Sequence, residues 1–199
     1  IVATLHGPWW VHRMAGSAPD DDVSARREAR EAKGLRRVDG ITSPSADVLR
    51  KTEALWGLPK VPTAVINNPF PVPATGIDLT DELMNHVLFV GRFDHIKGGD
   101  LVVEAFALIA AAHPTAQFTF VGPDVGLPRA EGGMDMLSVR LARRPKPIRS
   151  RIRAVGKQSR DEVAALRAQH GVTLVASRYE NFGGTLIEAM APNPKSLLA

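Results

Sequence analysis

The sequence predicts an α/β protein whose parallel sheets are arranged in doubly wound layers. Three observations carry this reading. Short apolar runs, among them 1–5, 87–90, 117–121 and 171–176, alternate along the chain with segments of helical spacing. Turn chemistry closes the apolar runs, as at His6-Gly7-Pro8, Gly91-Arg92 and Gly122-Pro123. The polar residues best suited to hold a ligand, His6, Arg92, Lys97 and Glu180, fall just after apolar runs, where parallel sheets open their ligand-facing loops.

Ile1-Val2-Ala3-Thr4-Leu5 reads as a buried strand that starts without a turn or cap, so the chain is expected to begin inside a domain. His6 is then either a site residue or a loop histidine bonded to backbone. Trp9 and Trp10 line a pocket or fill a core. Residues 16–22 form a polar loop, and Asp20-Asp21-Asp22, with no histidine beside it, reads as a solvated helix N-terminus rather than a metal site. A charged helix is expected over 23–37 and a short strand over 40–43. Ser43 is the expected N-cap of the next helix, with Pro44 in its first turn and Trp56 near its end. Residues 61–66 follow as a strand, and Pro69, Pro71 and Pro73 keep the next stretch extended and irregular.

A second domain begins near His86. Val87–Val90 reads as a buried strand, Gly98-Gly99-Asp100 leads into a helix with apolar Leu101, Val102, Ala105, Phe106 and Ile109, and Pro114 stops it. Gln117–Val121 is the next strand. The stretch 123–150, rich in Gly, Pro and Arg, shows a helix only around 134–142. Residues 152–155 read as a strand, Ser159 and Glu162 as a capping box for a helix to about Gln169, and 171–176 as the last strand.

At 199 residues, 44% hydrophobic and 23% charged, the chain has the composition of a globular protein able to bury a core. No apolar run approaches the roughly 20 residues that span a bilayer, and no signal-peptide pattern opens the chain. Cysteine is absent, which removes disulfides and thiolate catalysis and is compatible with the cytoplasm. The net charge is +4. Its basic residues gather at 26–37, interleaved with Glu28, Glu31 and Asp39 as on a solvated helix face, and at 140–153. Lys146, Arg149, Arg151 and Arg153 read as a solvated loop or as a contact with an anionic membrane or ligand. Aromatic residues are not interleaved with these charges, so no nucleic-acid partner is expected.

The densest signal is Ser177-Arg-Tyr-Glu-Asn-Phe-Gly-Gly-Thr-Leu-Ile-Glu188-Ala-Met-Ala191. Glu180 precedes a Gly183-Gly184 turn, and Glu188 lies about one helical turn beyond it. Glycines let backbone approach a ligand closely, and the first N–H groups of a helix near Thr185 suit a phosphate. Carboxylates on both sides of a phosphate cradle fit a ligand with hydroxyls at both ends, such as a nucleotide-sugar.

This Glu180–Glu188 pattern, with Phe182-Gly183-Gly184 inside and Ala189-Met190-Ala191 after it, resembles the E-x7-E motif of retaining glycosyltransferases of family GT4. Val87-Leu-Phe-Val-Gly91-Arg92, followed by Lys97-Gly98-Gly99-Asp100, is similar to the family's second motif and stands in the family's order. The Asn68-Pro69 segment agrees with it as well. The resemblance covers roughly residues 1–191 and implies a GT-B-like fold with two Rossmann-type domains, both incomplete at the chain ends. It places the C-terminal part of an acceptor-side domain at 1–72, a linker at 73–85 and a truncated nucleotide-sugar-binding domain at 86–199. The family's glycine-rich first loop and its Gly-x-Pro-Val continuation are missing here.

The resemblance also implies roles. His6 and Glu180 would be catalytic, with His6 facing the donor sugar. Arg92, Lys97, Gly183, Gly184 and Thr185 would hold the donor diphosphate; Glu180, Phe182 and Gly183 the donor sugar; and Glu188 the ribose. Neither carboxylate is expected to work as the acid or nucleophile of a glycoside hydrolase. The implied activity is sugar transfer with retention from a UDP- or GDP-linked donor to a glycan, lipid or small-molecule acceptor, without cofactor or metal. The alternative is an inactive nucleotide-binding fragment. A cytoplasmic place, or one peripheral to the inner face of the membrane, goes with either.

Overall fold

The computed structural model describes residues 1–16, 20–70, 79–191 and 197–198, the last two by backbone alone. Its chain gathers into two compact units, one made of Ile1–Phe70 with Tyr179–Gly183, the other of the remaining described residues.

In the first unit β1 (Val2–Thr4), β2 (Gly40–Ser43) and β3 (Thr63–Val65) form a parallel sheet in that order. Val2 pairs with Gly40 and Ile41 with Thr63. Helices α1 (Trp9–Met14), α2 (Asp22–Leu35) and α3 (Ala46–Trp56) bring Trp10, Val11, Leu35 and Val48 into one core with Leu5 and Ile41. Asp21 caps α2 by accepting from Ser24 N at 2.8 Å, so the aspartate run is indeed a helix N-terminus. The helix's charged face carries the pairs Arg26–Asp22 and Arg27–Glu31, as a solvated face should.

Two expectations fail in this unit, and the strand expected over 61–66 forms at its centre. The cap of α3 is Ser45, whose hydroxyl accepts from Val48 N, because Ser43 still belongs to β2 and donates its own hydroxyl to Ser45 O at 2.8 Å. Residues 1–5 are not buried throughout: Ala3 and Leu5 meet the core, whereas Val2 and Thr4, on the other face by the two-residue alternation, are exposed. Residues 63–65 lie exposed at the sheet edge, and Val61, just before β3, packs on the core instead.

The second unit is organised by a parallel sheet in the order β10-β9-β4-β5-β8. Its strands are β4 (His86–Val90), β5 (Gln117–Val121), β8 (Ile152–Gly156), β9 (Val172–Leu174) and β10 (Leu197–Leu198). Val87-Leu88-Phe89 is buried on both faces, which explains its continuous apolar run. Helix α5 (Gly99–Ala112) lays Val102, Val103 and Phe106 on Phe89, Phe118 and Phe120. The Phe106 and Phe118 rings stack at 4.9 Å. Helix α8 (Arg160–Ala168) begins with the expected capping box of Ser159 and Glu162. Helix α9 (Gly184–Met190) follows β9.

The stretch 123–150 holds a hairpin of β6 (Leu127–Pro128) and β7 (Met134–Asp135), then α6 (Leu137–Ala142) and α7 (Lys146–Arg149). The helix expected over 134–142 therefore starts late. Several of this region's arginines are engaged: Arg129 and Arg140 bond the buried Asp135, and Arg144 pairs with Glu104. Arg151 donates to the carbonyls of Ala110, His113 and Pro114, capping the end of α5 with a cation rather than extending into a solvated loop. In the stretch read as a linker, 73–78 lie outside the described residues, and α4 (Asp81–Met84) is a single turn capped by Thr80. Ser17–Pro19 of the expected polar loop and 192–196 of the chain's tail lie outside them too.

Strand order decides where a ligand can enter. The chain runs outward from β4 through β5 to β8, then returns to β9 on the other side of β4. Strand order reverses between β4 and β9. At such a switch point the loops leaving the two carboxyl ends diverge and leave a crevice.

Candidate functional site

Both motifs leave the carboxyl ends of these two neighbouring strands. After β4 the turn is set by close backbone approach. Gly91 N donates to Val121 O at 2.9 Å, and a Cβ on Gly122 (φ +144°) would stand 1.9 Å from Gly91 O. Phe93 N donates to Pro123 O, and Gly126 N to Phe93 O. Arg92 projects from this turn with its side chain 46% exposed, and its Nη2 pairs with Asp94 Oδ2 at 2.6 Å. The buried Asp94 also accepts from Lys97 N through Oδ1 at 2.8 Å. One carboxylate thus fixes both the guanidinium and the backbone that carries Lys97. The Arg92 fork keeps donors beyond the one paired with Asp94.

The turn is locked onto the segment that leaves β9. Gly98 adopts φ +68°, and a Cβ there would stand 2.0 Å from Ala176 O. Arg178 donates to both Asp100 oxygens at 2.7 Å and to His95 O at 2.7 Å, while its own N–H donates to Ile96 O. Burial pushes the Asp100 carboxyl up, but the bonds and charge of Arg178 outweigh it and hold it below the usual range. Asp100 of the first motif is therefore a strut for the second. Sequence reading noted both residues without joining them, since nothing local in either links positions so far apart.

Beyond Arg178 the chain enters the first unit. Tyr179 donates to Asp47 Oδ2 at 2.9 Å and meets the Trp10 ring edge-on at 5.6 Å. Asn181 Nδ2 donates to the backbone carbonyl of His6 at 2.6 Å. His6 and Glu180 thus stand in one unit, His6 exposed and Glu180 partly buried in the same segment as Asn181. Phe182 is partly buried, and Gly183 takes φ +75°, which a side chain disfavours. The two tryptophans divide: Trp10 is core, its Nε1 bonded to Thr52 at 3.0 Å, and Trp9 lies under the Arg27 guanidinium at 3.7 Å.

Gly184, Thr185 and Glu188 lie on α9, in the second unit with Arg92 and Lys97. Glu188 accepts from Arg167 Nη2 at 2.7 Å. Arg167 is a residue that sequence reading missed. Its one signal was an arginine four positions after Val163, on the inward stripe of α8. A groove lined in part by His86, Thr119, Arg153 and His170 opens instead at the amino ends of β4, β5 and β8, away from these motifs. Among the described residues no cluster of three or more His, Asp or Glu could hold a metal, and no helix is long and apolar enough to cross a membrane.

Comparison with solved structures finds the same architecture repeatedly. A sucrose-phosphate synthase from Thermosynechococcus elongatus matches with a TM-score of 0.70 and 23% identity, over 96% of this chain and 48% of that one. An alpha,alpha-trehalose-phosphate synthase (UDP-forming) from Burkholderia xenovorans, in complex with glucose-6-phosphate, matches at TM-score 0.60 and 15% identity, over 100% and 52%. The pneumococcal O-GlcNAc transferase GtfA, in complex with UDP and GlcNAc, matches at 0.60 and 19%, over 84% and 31%. At these identities the likeness establishes the fold, a GT-B-type α/β architecture with Rossmann-like parallel sheets. The chain spans about half or less of the length of these structures. No curated protein sequence matches it significantly. The family model described as "Glycosyl transferases group 1" matches residues 78–193, which take in the Gly91–Asp100 turn, its Arg178 latch and both carboxylates of the last motif. The chain belongs to the glycosyl transferases group 1 family.

Proposed function

We propose that this chain carries the donor-binding part of a retaining, GT4-type glycosyltransferase that moves a sugar from a UDP- or GDP-linked donor to a glycan, lipid or small-molecule acceptor. The observation that carries the reading is the latch between the two motifs at the β4–β9 switch point. Gly98 against Ala176 and Arg178 on Asp100 make one rigid block of the cation-bearing turn and the strand exit that leads to Glu180.

The chemistry follows from the bond that breaks. As the anomeric carbon separates from the phosphate oxygen, the sugar becomes cationic and the diphosphate gains negative charge. Fixed cations near the leaving oxygen stabilise that state. Arg92, pre-oriented by Asp94, presents a planar fork, and Lys97 supplies a compact charge. Gly183, Gly184 and Thr185 offer backbone to the diphosphate, and the cations serve the leaving group in place of a metal. Glu188 holds the ribose hydroxyls. Glu180, Phe182 and Gly183 hold the donor sugar, with His6 as its further contact. The acceptor hydroxyl attacks the face the diphosphate leaves, bonding its oxygen to the anomeric carbon and passing its proton to the departing phosphate oxygen, which preserves configuration. A cytoplasmic site of action, at or near the inner membrane face, fits a nucleotide-sugar donor.

The test is turnover of UDP- and GDP-hexoses by the full-length protein in the presence of EDTA, with the product anomer followed by NMR. Retained configuration and chelator-insensitive turnover are expected. An inverted product, or turnover abolished by EDTA and restored by a divalent cation, would overturn the corresponding part of the reading.

A further inference from the structure

Arg167 and Glu188 form an asymmetric pair. The arginine side chain is only 6% exposed, whereas the glutamate is 47% exposed. Arg167 reaches out from α8, donating through Nη2 to Glu188 Oε2 at 2.7 Å while Nη1 lies 3.5 Å from Thr185 O. Burial pulls the guanidinium below its usual pKa and Glu188 opposes that shift. A buried arginine is rare, and it persists where a carboxylate answers its charge.

The geometry gives the pair a direction. The buried cation is held by the fold, so it acts as the anchor, and the exposed carboxylate is the group being held. A lone glutamate on a helix surface samples many rotamers, and ordering it when a ligand arrives costs entropy. Tying Oε2 to a fixed guanidinium removes that cost beforehand and leaves Oε1 as an acceptor in a defined place. The 3.5 Å approach to the Thr185 carbonyl ties the same arginine to the first turn of α9.

We propose that Arg167 is a positioning residue, holding Glu188 ready to accept hydrogen bonds from the ribose hydroxyls of a nucleoside diphosphate. This rests on the reading of Glu188 as the ribose-binding residue. Arg167 itself does not touch the ligand. Its effect is therefore confined to ligands that carry those hydroxyls.

The experiment is calorimetric titration of the full-length protein with UDP and GDP, each beside its 2′,3′-dideoxy counterpart, for wild type, Glu188→Gln, Arg167→Met and the double variant. Arg167→Met is expected to bind the ribonucleotide about tenfold more weakly, the scale of one hydrogen bond to a charged group, and the dideoxy ligand unchanged. The double variant should bind no more weakly than Glu188→Gln alone, since the arginine acts through the glutamate. If Glu188→Gln weakens both ligand types equally, the ribose reading itself fails. If Glu188→Gln discriminates them and Arg167→Met does not, the positioning role is overturned. Should Arg167→Met fail to fold, Arg167→Lys keeps the buried charge without the fork. Full ribose discrimination in that variant would refute the proposal.

Discussion

Replacing Gly98 by alanine tests the latch that joins the two motifs. Two costs add. Alanine at φ +68° pays about 1 kcal/mol for the left-handed backbone. Its Cβ would stand 2.0 Å from the Ala176 carbonyl oxygen, a backbone atom that cannot rotate away as a side chain would. The turn and the β9 exit must separate by more than about an ångström to restore ordinary contact, an overpacking that costs about 1–3 kcal/mol. Together they destabilise the second unit by about 2–4 kcal/mol, or a fall of about 1–2 M in urea midpoint at a typical slope of about 2 kcal/mol/M. The assay must be far-ultraviolet circular dichroism, because Trp9, Trp10 and Trp56 all lie in the first unit and their fluorescence does not report on Gly98. Gly34→Ala is the control. Nothing lies within 4 Å of a Cβ there, and the position is inside α2, so about 0.5–1 kcal/mol of stabilisation is expected. A Gly98→Ala protein within about 0.5 kcal/mol of wild type, the range of an inconsequential surface change, would refute the latch.

Tyr179 is the sole tyrosine, so ultraviolet absorbance titration reads it alone. Burial, then its bond to Asp47 and that carboxylate's charge, raise its pKa, so no phenolate signal is expected near pH 10 in the folded protein. The raised value stabilises the fold fully below pH about 10 and less as pH rises above it; an absorbance step near 10 without unfolding would contradict this. His170 is shifted the other way. Burial lowers its pKa although the Leu166 carbonyl at 2.6 Å opposes this, and His86 and Arg153 add to the depression. The neutral ring must donate from Nδ1 to that carbonyl, leaving Nε2 to accept from Thr119 Oγ1 at 2.9 Å. Stability is then lost as pH falls below about 6.5, and His170→Gln should flatten that part of a urea midpoint profile; an unchanged slope would contradict the assignment.

What the sequence disclosed depended on whether the cause of a feature was local. Strand β4 was legible because burial on both faces writes an unbroken apolar run, and the start of α8 because both halves of its capping box lie within four residues. The hairpin of β6 and β7 was hidden, each strand being two residues long. The 140–153 basic cluster reads from sequence as a solvated loop or an anionic contact, yet Arg140 serves Asp135 and Arg151 serves carbonyls at the end of α5. The Arg151 partners lie 37–41 residues away, so that partnership depends on the fold rather than on spacing. The same holds for Asn181 on the His6 carbonyl and for Arg178 on Asp100. The candidate site was legible as two motifs; their supports, Asp94, Asp100, Arg167 and Arg178, took the structure to find.

The division of labour between Glu180 and Glu188 is the centre of the functional account, and nucleoside-diphosphate affinity in the two alanine variants tests it most directly. Lys97→Ala should show that the diphosphate is being read, weakening UDP or GDP by about 1.5–3 kcal/mol, with added salt narrowing the difference. Glu188→Ala should weaken every ribose-bearing ligand by a similar amount. Glu180→Ala should leave the affinity for the bare nucleoside diphosphate within about 0.5 kcal/mol of wild type while sugar transfer falls. Equal losses of diphosphate affinity in the Glu180 and Glu188 variants would contradict the account.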